Sequence, residues 1–114
     1  MAVTIDGSAN TISATSTTAI GVGQTWQDVT ASRALGTTYT NSTGRPIALL
    51  VTVRGTTSSG VYQSAITING VVYGQLGGWG INVYASGSYI IPAGATYLFG
   101  TSALMTLNQW SELR

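Results

Sequence analysis

Short runs of alternating apolar and polar residues, separated by glycine-rich or polar turns, extend from Thr25 to the end of the chain. The most apolar run, Ile47 to Val53, predicts a central strand buried on both faces or nearly so. Further runs predict strands around Trp26 and Val29, from Leu35 to Thr40, from Ala95 to Gly100 and from Leu104 onward. About eight strands at roughly 8–12-residue spacing, with no convincing helix, predict an antiparallel β-sandwich of the jelly-roll type.

The dipeptide Asn69-Gly70 gives the clearest local signal. Asn-Gly supplies the two positive-φ residues of a type I′ turn, so the flanking runs, Tyr62 to Ile68 and Val71 to Leu76, are predicted to form a β-hairpin. Alternation divides the first run between two faces. The core face takes Tyr62, Ser64, Ile66 and Ile68, and the other face takes Val61, Gln63, Ala65 and Thr67.

Three polar or glycine-rich segments interrupt the predicted strands. The segment Gly74 to Gly80 contains Gly77-Gly78-Trp79-Gly80 and predicts a loop, because so many glycines weaken a strand. The segment Ala85 to Gly87 is predicted to divide two short strands. The segment Asn41 to Pro46 predicts a turn; its Asn41-Ser42-Thr43 matches the N-glycosylation pattern, but turn chemistry suffices to explain these residues and we assign no modification.

The chain divides into residues 1–20 and a β-sandwich domain over residues 21–114. The first part is rich in Ser, Thr, Ala and Asn and has few large apolar side chains to offset its ordering entropy. It is interpreted as an arm or linker, either a flexible tail or a segment that orders against neighbouring subunits.

Composition excludes several classes of function. The chain has no Cys, no His and three acidic residues far apart in sequence, so we expect no enzyme, metal or cofactor. Four Arg, no Lys and a net charge of +1 do not fit a nucleic-acid partner. No apolar run is long enough to insert in a membrane, and no signal peptide is visible.

Several segments, taken in order, carry a family resemblance. They are Gly23-Gln24-Thr25-Trp26-Gln27-Asp28-Val29-Thr30, Arg33 to Asn41, Gly44-Arg45-Pro46-Ile47, Ile91-Pro92-Ala93-Gly94-Ala95-Thr96-Tyr97 and Trp110-Ser111-Glu112-Leu113-Arg114. In this combination, over about Gly21 to Arg114, the chain resembles the C-terminal domains of tail fibres and tailspikes of tailed bacteriophages.

The resemblance implies a distal β-sandwich in a homotrimeric host-recognition fibre. Its expected partners are a bacterial surface polysaccharide or lipopolysaccharide and other virion tail proteins. The expected location is the virion, at the tip of an extracellular fibre, after synthesis in the host cytoplasm. Unlike the larger fibre proteins, the sequence has no long shaft or catalytic β-helix before this domain, which fits either an excised tip or a small virion protein.

Trp79 is the main candidate for ligand binding. Three glycines flank it, and an exposed indole can stack on a sugar ring while amides bind hydroxyls. Packing at an interface or a hairpin tip is the alternative. The predicted companions of Trp79 in glycan binding are Tyr73, Gln75, Asn82 and Tyr84.

Four other residues are assigned structural or interface roles. Trp26 and Trp110 are expected to pack in the core or at a subunit interface. Asp28 with Arg33, and Glu112 with Arg114, are possible surface ion pairs that would contribute little stability unless an interface desolvates them.

Two hypotheses of function follow. In the first, the domain binds a host glycan through loops near Trp79 and catalyses no reaction, with trimer and virion multivalency raising a weak affinity. In the second, it is a trimerisation cap or virion decoration protein without receptor binding of its own.

Overall fold

The computed structural model describes residues 19–114, together with residues 3–6 and 11–14 as strand backbone only. Most of these residues lie in strands. Half of the predicted arm over residues 1–20 lies outside these residues. The strands are β1 (Val3–Asp6), β2 (Thr11–Ala14), β3 (Trp26–Asp28), β4 (Tyr39–Thr40), β5 (Ile47–Gly55), β6 (Val61–Ile68), β7 (Val71–Trp79), β8 (Tyr84–Ile91), β9 (Thr96–Phe99) and β10 (Met105–Leu113).

Strands β3 to β10 form two four-stranded antiparallel sheets. The first sheet has the order β3-β10-β5-β8 and the second has the order β4-β9-β6-β7, while β1 pairs with β2. The strand pairs are nested along the chain: β6 pairs with β7, β5 with β8, β4 with β9 and β3 with β10. The chain therefore follows the path of one long hairpin whose successive strand pairs lie alternately in the two sheets.

One hydrophobic core joins the two sheets. The first sheet contributes residues such as Leu49 and Trp110, and the second contributes Tyr62, Tyr97 and Phe99, all with at most 1% of their surface exposed. Side chains of a half-buried strand alternate between core and solvent, and the two sheets bury their inner faces against each other. The prediction of an all-β, sandwich-like fold is confirmed.

Strand β5 corrects one expectation. It is an interior strand, as predicted, but only one of its faces is buried. Ile47, Leu49, Val51 and Val53 enter the core, whereas Leu50 is 45% exposed on the outer face. An antiparallel sheet in a two-layer sandwich has only one inner face, so the apolar run continues onto an outer face.

The Asn69-Gly70 hairpin is confirmed. Both residues have positive φ, 50° and 80°, as a type I′ turn requires. The predicted core face of β6 is also confirmed, since Tyr62, Ser64 and Ile66 are buried and Ile68 is partly buried.

The predicted loop at Gly74 to Gly80 was wrong, because β7 continues through Gly78 to Trp79. Gly78 is required by the neighbouring side chain of Tyr62, because a Cβ on Gly78 would lie 2.6 Å from the Tyr62 hydroxyl oxygen. This glycine therefore makes room for an aromatic ring under the strand.

The predicted break at Ala85 to Gly87 was also wrong, since β8 is continuous. A Cβ on Gly87 would lie 2.6 Å from both Leu76 Cδ2 and the hydroxyl oxygen of Tyr89. Close packing between β8 and β7, rather than a turn, explains this glycine.

The predicted strand Leu35 to Thr40 is shortened to Tyr39–Thr40. Gly36 adopts a φ of 80°, which turns the chain, and its N–H donates to the carbonyl of Phe99. The chain reaches this turn through a 3-10 helix at Thr30–Ser32, the one helical segment among the described residues.

The turn that follows Asn41 is held by the buried side chain of Asn41. The Asn41 amide nitrogen donates to the carbonyl oxygens of Arg45, Ile91 and Pro92, and its side-chain oxygen accepts from Thr43. With 1% of its surface exposed, Asn41 acts as a structural bridge between the turn and the end of β8, in agreement with the turn interpretation.

Candidate functional site

A β-bulge decides which way the outer part of β7 faces. Ile66 pairs with Gly74 and Thr67 pairs with Val72, so Tyr73 is the extra residue. A bulge shifts every later residue of the strand by one position and so reverses its faces. Leu76 consequently enters the core, while Gln75 and Trp79 point outward.

Trp79 ends β7, an edge strand, and has 61% of its surface exposed. Its cross-strand partner is Val61, which is 54% exposed on the same outer face. The indole is therefore available to a ligand or partner on a strand, rather than on the predicted loop.

The five predicted glycan-binding residues are all exposed but do not share one face. Tyr73, Gln75 and Trp79 lie on β7. Tyr84 begins β8 and pairs with Arg54, so its side chain lies on the outer face of the other sheet. Asn82 lies in the connection between the sheets, with a φ of 57°, and its side-chain oxygen accepts from Arg54 at 3.2 Å.

Distance also separates the residues along β7. Tyr73 is six residues from Trp79, which is about 20 Å in a strand, whereas Gln75 is about 13 Å away. Tyr73 therefore lies near the Asn69-Gly70 end of the hairpin, and Gln75 is the predicted companion on the outer face nearest to Trp79.

Gln63 lies on the same outer face, although it is not among the five predicted glycan-binding residues. It is exposed on the outer face of β6, directly opposite Gly77. Alternation alone had placed Gln63 on the outer face. Its position between Gln75 and Trp79 depends on the register set by the bulge, and no local pattern in the sequence marks this bulge.

The β6–β7 hairpin carries no charged side chain. Between Arg54 and Glu112 the sequence contains no Asp, Glu, Lys or Arg. No group of three potential metal ligands occurs among the described residues. No helix in the described part of the chain could span a membrane.

The structure separates the two tryptophans that were assigned structural roles. Trp110 is fully buried and makes an edge-to-face contact with Phe99 at 5.0 Å between ring centroids. Trp26 is 50% exposed on the outer face of the first sheet, so it does not belong to the core. Its predicted role at a subunit interface stays a prediction.

Glu112 is the centre of a buried polar network. Its carboxylate accepts two hydrogen bonds from Arg33, each at 3.0 Å, and one from Arg114 at 2.8 Å. The Tyr97 hydroxyl and the Trp110 indole N–H donate to it at 2.9 and 3.1 Å. The carboxylate has no exposed surface, but it accepts five hydrogen bonds and lies beside two cations, which offset the cost of burying its charge.

This network corrects the predicted ion pairs. Arg33 pairs with Glu112, not with Asp28, and also lies 4.6 Å from the ring centroid of Tyr39. Asp28 instead accepts hydrogen bonds from the backbone N–H and hydroxyl of Thr30. The predicted pair of Glu112 with Arg114 exists, but its carboxylate is buried rather than at the surface.

The network shifts two pKa values. Burial of Glu112 would raise its pKa, but hydrogen bonds from Arg33 and Tyr97 and the positive charge of Arg33 outweigh burial and lower it. Burial, followed by the charge of Glu112, raises the pKa of Tyr97 to about 12. These shifts describe an ionised carboxylate beside a neutral phenol, which suits a structural anchor.

Comparison with protein-family models, with curated proteins and with solved structures found no match for this chain.

Proposed function

We propose that this chain is the distal domain of a tail fibre or tailspike of a tailed bacteriophage. In this role it binds a glycan on the host surface, a polysaccharide or lipopolysaccharide, and catalyses no reaction. The proposal starts from the ordered sequence segments that resemble such domains, from Gly23 to Arg114.

The exposed indole of Trp79 carries the binding part of the proposal. Trp79 is 61% exposed and its cross-strand partner Val61 is 54% exposed on the same outer face, so the two side chains form an apolar patch that a ligand or partner can cover. Tryptophan offers a flat apolar surface together with an N–H donor, and nearby amides can bond to hydroxyl groups. A glycan, which is rich in hydroxyl groups, fits these groups.

The nested strand order supports the finer description of the fold as a jelly roll. In such a fold, an eight-stranded hairpin is rolled so that successive pairs alternate between two sheets. Jelly rolls occur in viral capsid and lectin domains. The order β3-β10-β5-β8 and β4-β9-β6-β7 follows this arrangement.

An apolar row on the first sheet supports assembly into an oligomer, which the resemblance implies to be a homotrimer. Trp26, Leu113, Ala48 and Ile90 are successive cross-strand partners on the outer face, and they are called the outer row below. Trp26 and Ile90 are 50% and 61% exposed. Contact between subunits along this row would remove apolar surface from water.

Binding to bacterial cells tests the proposal. The full chain and its Trp79→Ala variant are incubated with a panel of bacterial strains and with polysaccharide extracted from any strain that binds. Loss of an indole at the centre of an interface is expected to weaken binding about thirtyfold. Val72→Ala removes an exposed apolar side chain from the other end of β7, outside the outer row, and should retain binding.

Circular dichroism and light scattering must show that the variants keep their fold and oligomeric state. Undiminished binding by a folded Trp79→Ala protein contradicts the assignment of this residue. Binding to no strain and no extracted polysaccharide contradicts receptor recognition as a whole.

The alternative is a structural cap or virion decoration protein, and the outer row favours it too. Such a protein needs contacts between copies or with other virion proteins, but no exposed ligand site. It would form a stable oligomer and bind no bacterial cells, so the same cell-binding measurement separates the two functions.

A further inference from the structure

The outer face of the β6–β7 hairpin presents two amides and an indole around a position without a side chain. On β7, Gln75, Gly77 and Trp79 occupy successive outward positions. On β6, Gln63 lies directly opposite Gly77. We call Gln63, Gln75, Gly77 and Trp79 the amide platform.

Gly77 leaves the floor of the amide platform open. Side chains that point outward from one strand are about 7 Å apart, so Gln75 and Trp79 lie on either side of a gap over Gly77. Gln63 lies about 5 Å from Gly77, on the neighbouring strand. A Cβ on Gly77 would lie 2.5 Å from the carbonyl oxygen of Tyr62 and 3.3 Å from Gln63 Cγ. The gap is therefore imposed by the packing of the two strands.

The polar groups of the amide platform can both donate and accept hydrogen bonds. Each glutamine offers an N–H₂ donor and a carbonyl acceptor, which matches a hydroxyl that both donates and accepts. Gln63 and Gln75 are exposed, and none of the side-chain hydrogen bonds of the described residues engages them within the fold. Both amides are free to turn toward a ligand.

The lack of positively charged side chains at the amide platform favours an uncharged ligand over an acidic one. Proteins bind carboxylate and phosphate groups most strongly through Arg or Lys, and neither residue occurs between Arg54 and Arg114. Arg54 follows Val53, which is buried in the core, so it lies on the outer face of the other sheet, and there it donates to Asn82. The amide platform therefore offers no cation to an acidic sugar.

We propose that the amide platform binds one unit of an uncharged saccharide. The apolar face of the sugar ring stacks on Trp79, and Gln63 and Gln75 bond to hydroxyls on either side of the gap over Gly77. This inference rests on the proposed glycan-binding function and adds the neutral class of the sugar and the role of Gln63.

The test uses the full chain and purified bacterial polysaccharides, half of them neutral and half containing uronic acid, sialic acid or phosphate. Binding is measured by isothermal titration calorimetry at low and high NaCl for the wild type and for Gln63→Ala, Gln75→Ala and Trp79→Ala. Gln109→Ala, an exposed glutamine on the outer face of the first sheet, is the matched control.

We expect binding to neutral polysaccharides, with less than about a twofold change between roughly 0.05 and 0.5 M NaCl, because no charge is screened. Gln63→Ala and Gln75→Ala should each weaken binding about fivefold, as for loss of one neutral hydrogen bond. Gln109→Ala should bind as the wild type does.

Each other outcome overturns the inference in a recognisable way. Salt-sensitive binding of acidic polysaccharides only, lost in Trp79→Ala, rejects the neutral class and leaves the proposed function standing. Unchanged binding by both folded glutamine variants rejects the amide platform alone. Absence of binding to every polysaccharide, combined with absence of binding to bacterial cells, rejects the proposed function as well.

Discussion

At the scale of single residues, Glu112 accepts five hydrogen bonds from side chains in different parts of the chain. Its carboxylate joins Arg33, which follows the 3-10 helix, to Tyr97 in the second sheet and to Trp110 and Arg114 near the end of the chain. The first and last parts of the domain are thus joined through one buried acid.

Removal of this charge should destabilise the fold strongly. Glu112→Gln leaves Arg33 and Arg114 without their counter-charge, and the loss of one partner from a buried pair costs about 3 kcal/mol or more. Urea unfolding should show a lower midpoint with an unchanged slope. Asp28→Asn, which neutralises an exposed carboxylate, is the control and should have a much smaller effect; equal effects would contradict this role of Glu112.

The same network predicts how stability depends on pH. The pKa of Tyr97 is raised to about 12, so its stabilising contribution is complete below its ordinary pKa of about 10 and is lost as the pH rises through 12. The pKa of Glu112 is lowered, so its contribution is present above its ordinary value of 4.5 and is lost as the pH falls through the folded value.

Two titrations check this dependence. Burial also raises the pKa of Tyr89, so tyrosinate absorbance should show more than one late-titrating tyrosine, and Tyr97→Phe should remove the one that titrates at about 12. Denaturant midpoints should fall at both ends of the pH range. A Tyr97→Phe protein that keeps the group at about 12 would show that another tyrosine is responsible.

At the scale of elements, the glycines of β7 have different roles, although they look alike in sequence. A Cβ on Gly78 would meet Tyr62 at 2.6 Å, whereas a Cβ on Gly74 would lie 3.5 Å from Ile66 Cγ2, an ordinary contact. Neither has the positive φ that favours glycine.

Alanine at these two positions should therefore give opposite results. Gly78→Ala forces Tyr62 to move and should destabilise the fold by about 1–3 kcal/mol. Gly74→Ala removes freedom from the unfolded chain and should be neutral or stabilising by less than about 1 kcal/mol. Thermal unfolding of both variants is the measurement, and similar losses at the two positions would contradict this explanation.

The elements also show what the sequence alone can predict. The Asn69-Gly70 turn and the core face of β6 follow from local rules, and both were predicted correctly. The bulge at Tyr73 does not follow from local rules. It places Leu76 in the core against Gly87, which belongs to another strand. The direction of Trp79 depends on this bulge.

The site and the ion pairs were harder to predict for the same reason. Arg33 and Glu112 are 79 residues apart and become neighbours only when β10 lies in the first sheet. In the sequence, Asp28 is the closer acid. Tyr84 was grouped with Trp79 by proximity in sequence, but the chain crosses between the sheets at Asn82.

At the scale of the whole molecule, the outer row predicts where the subunits meet. Ile90→Glu places a charge in this row and should convert a trimer into monomers at micromolar concentration, as measured by light scattering, because burial of an unpaired charge is unfavourable. Val72→Glu changes an equally exposed valine on β7 and should leave the trimer intact. A monomeric wild type, or a trimer indifferent to Ile90→Glu, would contradict this interface.

The nested order of strands has a consequence for the speed and sequence of folding. The innermost pair, β6 with β7, closes across two residues, while the outermost pair joins Trp26–Asp28 to Ser111–Leu113. Each pair outside the first must close a longer loop unless the pairs inside it have already formed. We therefore expect folding to start at Asn69-Gly70 and to progress outward, so that changes in this turn slow folding and changes in β3 mainly speed unfolding.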